Sequence, residues 1–129
     1  MKLLAYAALG GAIGASGRYL VGIIALRTFG IGFPYGTFFV NIIGALLMGM
    51  VVEALALRFQ GSAELRTLLA TGILGGFTTF SAFSLELANM IERDQWSTAI
   101  LYSCASVVFS VCALFIGLYL GRYLWGATV

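Results

Sequence analysis

Apolar residues fill four long stretches, at about residues 3–26, 33–57, 67–91 and 96–121, and polar positions gather in the short gaps between them. Each stretch reaches or exceeds the ~20 residues that a helix needs to cross the hydrocarbon of a bilayer. Strands of a membrane barrel would show only ~10 alternating residues apiece. The pattern therefore predicts an all-α membrane protein with four transmembrane helices. The gaps near 27–33, 58–66 and 92–95 are short, so successive helices are expected to run antiparallel. The opening Met1-Lys2 and the run from Leu3 to Leu9 imitate a signal peptide, but the apolar run continues to Leu26. It is read as a retained first helix of one transmembrane domain spanning 1–129.

The third stretch departs from the pattern. From Thr67 to Leu85 it carries no charge, yet its middle reads Gly75-Gly76-Phe77-Thr78-Thr79-Phe80-Ser81-Ala82-Phe83-Ser84. Paired glycines followed by hydroxyls and phenyl rings predict a helix broken inside the membrane, with Gly75, Gly76 and Thr78 at the break. Broken backbone at that depth is tolerated only where protein or a water-filled cavity surrounds it. A break frees carbonyls at one helix end and N–H groups at the other, with roughly half a charge on each. The carbonyl end suits a small hard cation and the amide end an anion. The glycine pair read alone also fits tight packing.

Other polar positions lie inside apolar stretches. Arg18 sits in the first, where a charge is costly and points to function; an arginine snorkelling to the interface fits the position equally well. Asn41 in the second either bonds a neighbouring helix or presents its NH₂ to a permeating anion. Tyr102, Ser106 and Ser110 recur at four-residue intervals and place a hydroxyl stripe on one face of the fourth helix. Phe80 and Phe83 are neighbours on one face. Ring edges turned inward would favour an anion, ring faces a cation. Glu53 and Glu86 stand near span ends, and Glu86 follows the broken motif closely. Gly10 with Gly14, and Gly117 with Gly121, have the spacing that lets membrane helices approach closely.

Composition narrows the function classes. The 129 residues are 61% hydrophobic and 9% charged, against roughly 25% charged in soluble domains. Histidine is absent, which excludes a His/Cys metal site and a Ser-His-Asp or Cys-His nucleophile. Cys104 and Cys112 lie in one apolar helix and read as small packing residues. The net charge of +2 is too small and scattered for a nucleic-acid partner. With four spans, Lys2, Arg58, Arg66 and Arg122 fall on the side of the termini, and Arg27 and Arg93 on the other, with Arg18 nearer the latter. Orientation normally follows a Lys/Arg excess in the cytoplasm, and here the excess is nearly nil. Either other signals fix one orientation, or copies insert both ways and pair.

These residues together resemble the CrcB/Fluc family of bacterial fluoride channels. The resemblance runs over the whole chain and through three motifs in order: Gly10-Gly11-x-x-Gly14-x-x-x-Arg18, Gly36-Thr37-x-x-Val40-Asn41, and Gly75-Gly76-x-Thr78-Thr79-Phe80-Ser81-x-Phe83-Ser84-x-Glu86. The third block is specific; the first is weak alone. Ala82 stands where the family usually has threonine, which removes one hydroxyl there. The resemblance implies an antiparallel, dual-topology homodimer in the bacterial inner membrane, with two fluoride pores along the subunit interface. It implies that Phe80 and Phe83 line the pores edge-on and that Asn41 donates a hydrogen bond. Thr37, Ser81, Ser84 and Glu86 would belong to a polar track, with Tyr102 and Ser110 near the pore. Arg18 matches the family's first-helix arginine. One structural Na⁺ would sit at the dimer interface on the backbone carbonyls of Gly75 and Thr78. The alternative is a small multidrug-type cation/proton antiporter, also a four-helix dual-topology dimer, but built around a buried glutamate in the first helix where this chain has Arg18 and no acid.

Overall fold

A computed structural model describes residues 1–126, and among these the architecture is wholly helical. Helix α1 covers Lys2–Phe29 and α2 covers Tyr35–Leu57. The third span, Ala63–Glu92, comes in pieces: α3 Ala63–Arg66, a π-helical stretch Thr67–Leu74, α4 Gly75–Phe77 and α5 Ser81–Glu92. Helix α6 covers Trp96–Gly126. All four spans are long and apolar enough to cross a membrane.

The turns follow from local chemistry. Gly30 ends α1 at φ 79°, a left-handed value that glycine adopts without a Cβ clash, and its N–H donates to the Leu26 carbonyl at 3.0 Å. Pro34 then precedes α2, where its missing N–H costs nothing. Ser62 caps α3, its hydroxyl oxygen accepting the N–H of Leu65 at 3.4 Å. Asp94 turns the chain into α6 at φ 57°.

Water drives no helix together inside lipid, so close backbone approach must do so. Two glycine seams supply it. In the first, α1 lies on the π-helical stretch: a Cβ on Gly10 would stand 2.8 Å from Gly72 Cα, and one on Gly14 would overlap the Ile73 carbonyl oxygen. Gly76 continues this seam, 2.7 Å from the Gly11 carbonyl oxygen by the same measure. In the second, α2 and α6 form the most extensive helix pair. Gly49 is pressed on the backbone of Leu114 and Leu118, and Gly117 on the Leu46 carbonyl. An ion pair from Arg122 Nε to Glu53 Oε1 at 2.8 Å fastens the end of this pair. Large apolar side chains such as Leu4, Ile24, Leu101 and Phe115 stay exposed, as lipid-facing residues do.

The break falls later than the glycine pair. Gly75 and Gly76 remain helical, and the backbone leaves the helix at Thr78, with φ −79° and ψ 161°. Gly76 is a packing face against Gly11 of α1, while Gly75 stays open toward the groove side. What ends the helix is a change of partner: the Thr79 N–H, which would continue the ladder onto Gly75, donates to Asn41 Oδ1 instead.

Candidate functional site

Asn41 is the hinge of the site. Its Oδ1 accepts from the Thr79 N–H at 2.8 Å, and its Nδ2 donates to the Thr79 carbonyl at 2.9 Å. One side-chain amide thus satisfies both backbone groups of a residue that has left its helix, as a neighbouring strand would. One of its two N–H donors remains for another acceptor. Gly44, one turn along α2, makes room: a Cβ there would overlap the Thr78 methyl group.

The two ends of the break differ in sign. Before it, the Leu74 carbonyl accepts from both the N–H and the hydroxyl of Thr78, at 3.0 and 2.9 Å. The Gly76 carbonyl accepts from Arg18 Nε at 3.1 Å, so Arg18 reaches inward to a helix C-terminus, where a cation is favoured. No donor among the described residues meets the carbonyl oxygens of Gly75 or Thr78. After the break, the Thr79 hydroxyl oxygen caps α5 by accepting the Ala82 N–H at 3.2 Å. The N–H groups of Phe80 and Ser81 find no backbone acceptor among the described residues, which leaves a donor-rich, positive helix start.

A second cluster lies further along α5. Glu86 accepts at both carboxylate oxygens: Oε1 from the Thr37 hydroxyl at 2.7 Å and Oε2 from the Tyr102 hydroxyl at 2.7 Å. Three helices, α2, α5 and α6, meet in that bridge. Tyr102 is fully buried, and its ring packs 5.1 Å from Phe83 and 5.2 Å from Phe33, centroid to centroid. Thr37 and Glu86 also border a cavity of about 580 Å³ that opens beside the α1–α2 loop and is lined by Arg93 and Asn89.

Phe80 and Phe83 share a ring contact at 5.6 Å but not an environment: Phe83 is 8% exposed and Phe80 is 76% exposed. Both border a groove of about 520 Å³, with Asn41, Thr78, Ser106 and Ser110 on its walls. The Ser106 hydroxyl is buried there without a hydrogen-bond partner among the described residues. Of the remaining α5 hydroxyls, Ser84 donates to the Phe80 carbonyl at 2.9 Å, a bond within its own helix, and the Ser81 oxygen lies 3.4 Å from that of Thr79. Asn41, Phe80, Phe83, Gly75, Thr78 and Ser110 thus come together in the groove, Thr37, Glu86 and Tyr102 in the bridge, and Arg18 stands apart on the α1 side. Residue-level reading of the sequence passed over two contributors. Thr79 supplies three of the contacts at the break, and only its place in the Thr78-Thr79 pair hinted at it. Phe33, read as the start of the second apolar stretch, lies in the loop before α2, and its ring enters the bundle.

The sequence also matches known proteins. A family model described as CrcB-like protein, Camphor Resistance (CrcB), matches residues 5–118. A protein of Caulobacter sp. (strain K31), named fluoride-specific ion channel FluC, is 56% identical over 122 residues, which is 94% of each chain. A protein of the same name from Allorhizobium ampelinum is 50% identical over 125 residues, 97% of this chain and all of its own. A third, from Hyphomonas neptunium, is 56% identical over 116 residues, 89% of this chain and 91% of its own. With its four apolar spans, its interrupted third span and these matches, the chain is a multi-pass membrane protein that belongs to the CrcB family.

Proposed function

We propose that this chain is a passive fluoride-selective channel of the bacterial inner membrane that lets F⁻ leave the cytoplasm. The observation that carries the reading is the interruption at Thr78–Phe80, which exposes unpaired N–H groups at the start of α5 beside the spare Asn41 donor and the Ser106 and Ser110 hydroxyls. Fluoride is small, strongly hydrated and a strong acceptor. A path for it must replace water with donors and still release the ion. Neutral hydroxyls, an amide and ring edges meet both demands, whereas a lysine lining would hold the ion too firmly. The relatives that share half or more of this sequence carry the name of fluoride channels. The physiological purpose follows from acid chemistry: HF crosses membranes, ionises inside and is stranded until a channel releases it.

The working unit in this reading is an antiparallel homodimer with two pores. The groove leaves carbonyls of Gly75 and Thr78 uncovered at membrane depth, and each unsatisfied group facing hydrocarbon costs several kcal/mol. A second, inverted copy covers them, and the near-equal distribution of Lys and Arg between the two ends favours inversion. The same two carbonyls, free of donors, fit a structural Na⁺ shared between copies. The antiporter alternative gains no support, since α1 carries no acidic residue from Lys2 to Phe29.

The test is efflux from liposomes holding purified protein, read with a fluoride electrode. Fluoride leaves and chloride stays; equal loss of both, or proton-coupled uptake of an organic cation, sinks the channel reading. Exhaustive exchange of Na⁺ for N-methylglucamine lowers the flux or the melting temperature, and constancy of both removes the Na⁺ site.

A further inference from the structure

We infer that Phe33, in the loop between α1 and α2, is a positioning residue for conduction: its ring holds Tyr102 in place and, through the Tyr102 hydroxyl, the Thr37–Glu86 bridge. The inference rests on the channel reading and goes beyond it, to a residue that lies in no transmembrane helix.

Phe33 sits between Gly32 and Pro34 in a five-residue connection, Gly30–Pro34, that ends one helix and starts the next. Loop residues at a membrane surface usually face water or headgroups. This ring turns inward and packs against the buried cluster of Phe83, Met90, Ala99 and Tyr102. It meets Tyr102 edge to face, at 5.2 Å and 82°, and Phe38 at 5.8 Å and 75°. These are the arrangements that the ring quadrupole favours. On its other side Tyr102 touches Phe83 at 5.1 Å, and Phe83 touches Phe80 at 5.6 Å. Four rings therefore run in unbroken contact from the loop to the groove, and the only hydroxyl among them is bonded to Glu86. Tyr102 cannot swing without either vacating the Phe33 contact or carrying Phe83 with it. The backbone ties Phe33 to the start of α2 in turn, its carbonyl accepting the Tyr35 N–H at 2.8 Å.

The experiment is a double-mutant cycle on fluoride efflux from liposomes, with Phe33→Leu, Tyr102→Phe and the pair. Phe33→Leu keeps an apolar side chain but removes the ring edge. We expect it to slow efflux about tenfold. In the Tyr102→Phe background, which has already lost the bond to Glu86, it should slow efflux less than about twofold further. Phe33→Tyr, which retains the ring, restores at least half of the wild-type rate. Phe29→Leu, which perturbs the Tyr35 and Phe39 side of the same aromatic group without touching Tyr102, leaves the rate unchanged. Wild-type efflux in Phe33→Leu overturns the inference, and so does a full tenfold effect in the Tyr102→Phe background. Should Phe33→Leu yield no dimer, the cycle is run with Phe33→Met and read by the same two criteria. Absence of efflux from the wild-type protein in the same vesicles would count against the channel itself, whereas normal wild-type efflux with an additive cycle would discard only the role of Phe33.

Discussion

The two halves of the third span are held by different physics. The half before the break is fixed by backbone touching backbone: Gly10, Gly14, Gly72 and Gly76 bring α1 and the π-helical stretch into direct contact. The half after it makes sparse helix contacts and is located by side chains, through Asn41 at its start and the Thr37–Glu86–Tyr102 bridge two turns on. Backbone contact tolerates almost no displacement, because interiors are packed to the density of organic crystals. Side-chain hydrogen bonds can be exchanged one at a time. The first half is thus a fixed platform that presents carbonyls, and the second is an adjustable arm that presents donors. The π geometry belongs to the platform: the Gly75 N–H reaches back to the Ala70 carbonyl, five residues earlier, a feature that recurs at functional sites.

The comparison breaks most severely at the glycine seam. Gly14→Leu puts a branched side chain where even a Cβ overlaps the Ile73 carbonyl oxygen, so α1 and the third span must part. We expect a loss of about 3 kcal/mol or more, seen as aggregated protein on size exclusion; a monodisperse, fully active variant would show that the platform is not fixed. Asn41→Asp keeps the acceptor for the Thr79 N–H but sets a second acceptor against the Thr79 carbonyl. A fall in stability of about 1–3 kcal/mol, with fluoride efflux reduced at least tenfold, is expected in thermal melts and liposome assays. Thr37→Val removes one of two hydroxyl donors from the Glu86 carboxylate, and such charge-assisted bonds are about twice as strong as neutral ones. Here the arm should loosen while the platform holds: hydrogen exchange quickens over Ser81–Glu92 and is unaltered over Thr67–Leu74. Equal quickening in both would erase the distinction. Smallest is Gly11→Ala, whose added methyl meets nothing within 4 Å. Stability within ~0.5 kcal/mol of wild type is expected, in contrast to its neighbours in the same helix.

Much of this could be read from residue order. Four apolar runs give four spans, and the small-residue spacing at Gly10 and Gly14 marks a packing face. The disturbance in the third run announces a break at Gly75, Gly76 and Thr78; the chain leaves the helix at Thr78, while the two glycines before it stay helical. Rules learned in water treat paired glycines as breakers. In lipid Gly76 is a contact surface against α1 and Gly75 stays helical beside it, and the break waits for Asn41 to take the Thr79 N–H. That rivalry involves residues 38 positions apart, which no local pattern records. The π-helical stretch lacks a signal for the same reason, since its partner is α1. Phe80 and Phe83 look equivalent by spacing, yet one lies before the first turn of α5 and the other within it, so burial separates them. The Tyr102, Ser106 and Ser110 stripe was legible, but only the folded bundle shows that Tyr102 turns to Glu86 while Ser106 has no partner among the described residues.

The length of α6 has a consequence of its own. Its 31 residues rise about 46 Å, well beyond the ~30 Å hydrocarbon thickness of a typical bilayer. Trp96 near one end and Tyr119 and Tyr123 near the other are the residue types that settle at headgroup level, so a thinner membrane is met by tilt. Because the glycine seam ties α2 to α6, the two lean as one body, and Asn41 leans with them. Conductance is therefore expected to vary between vesicles of short-chain and long-chain phosphatidylcholine, which would make lipid thickness a control on the passage with no moving gate.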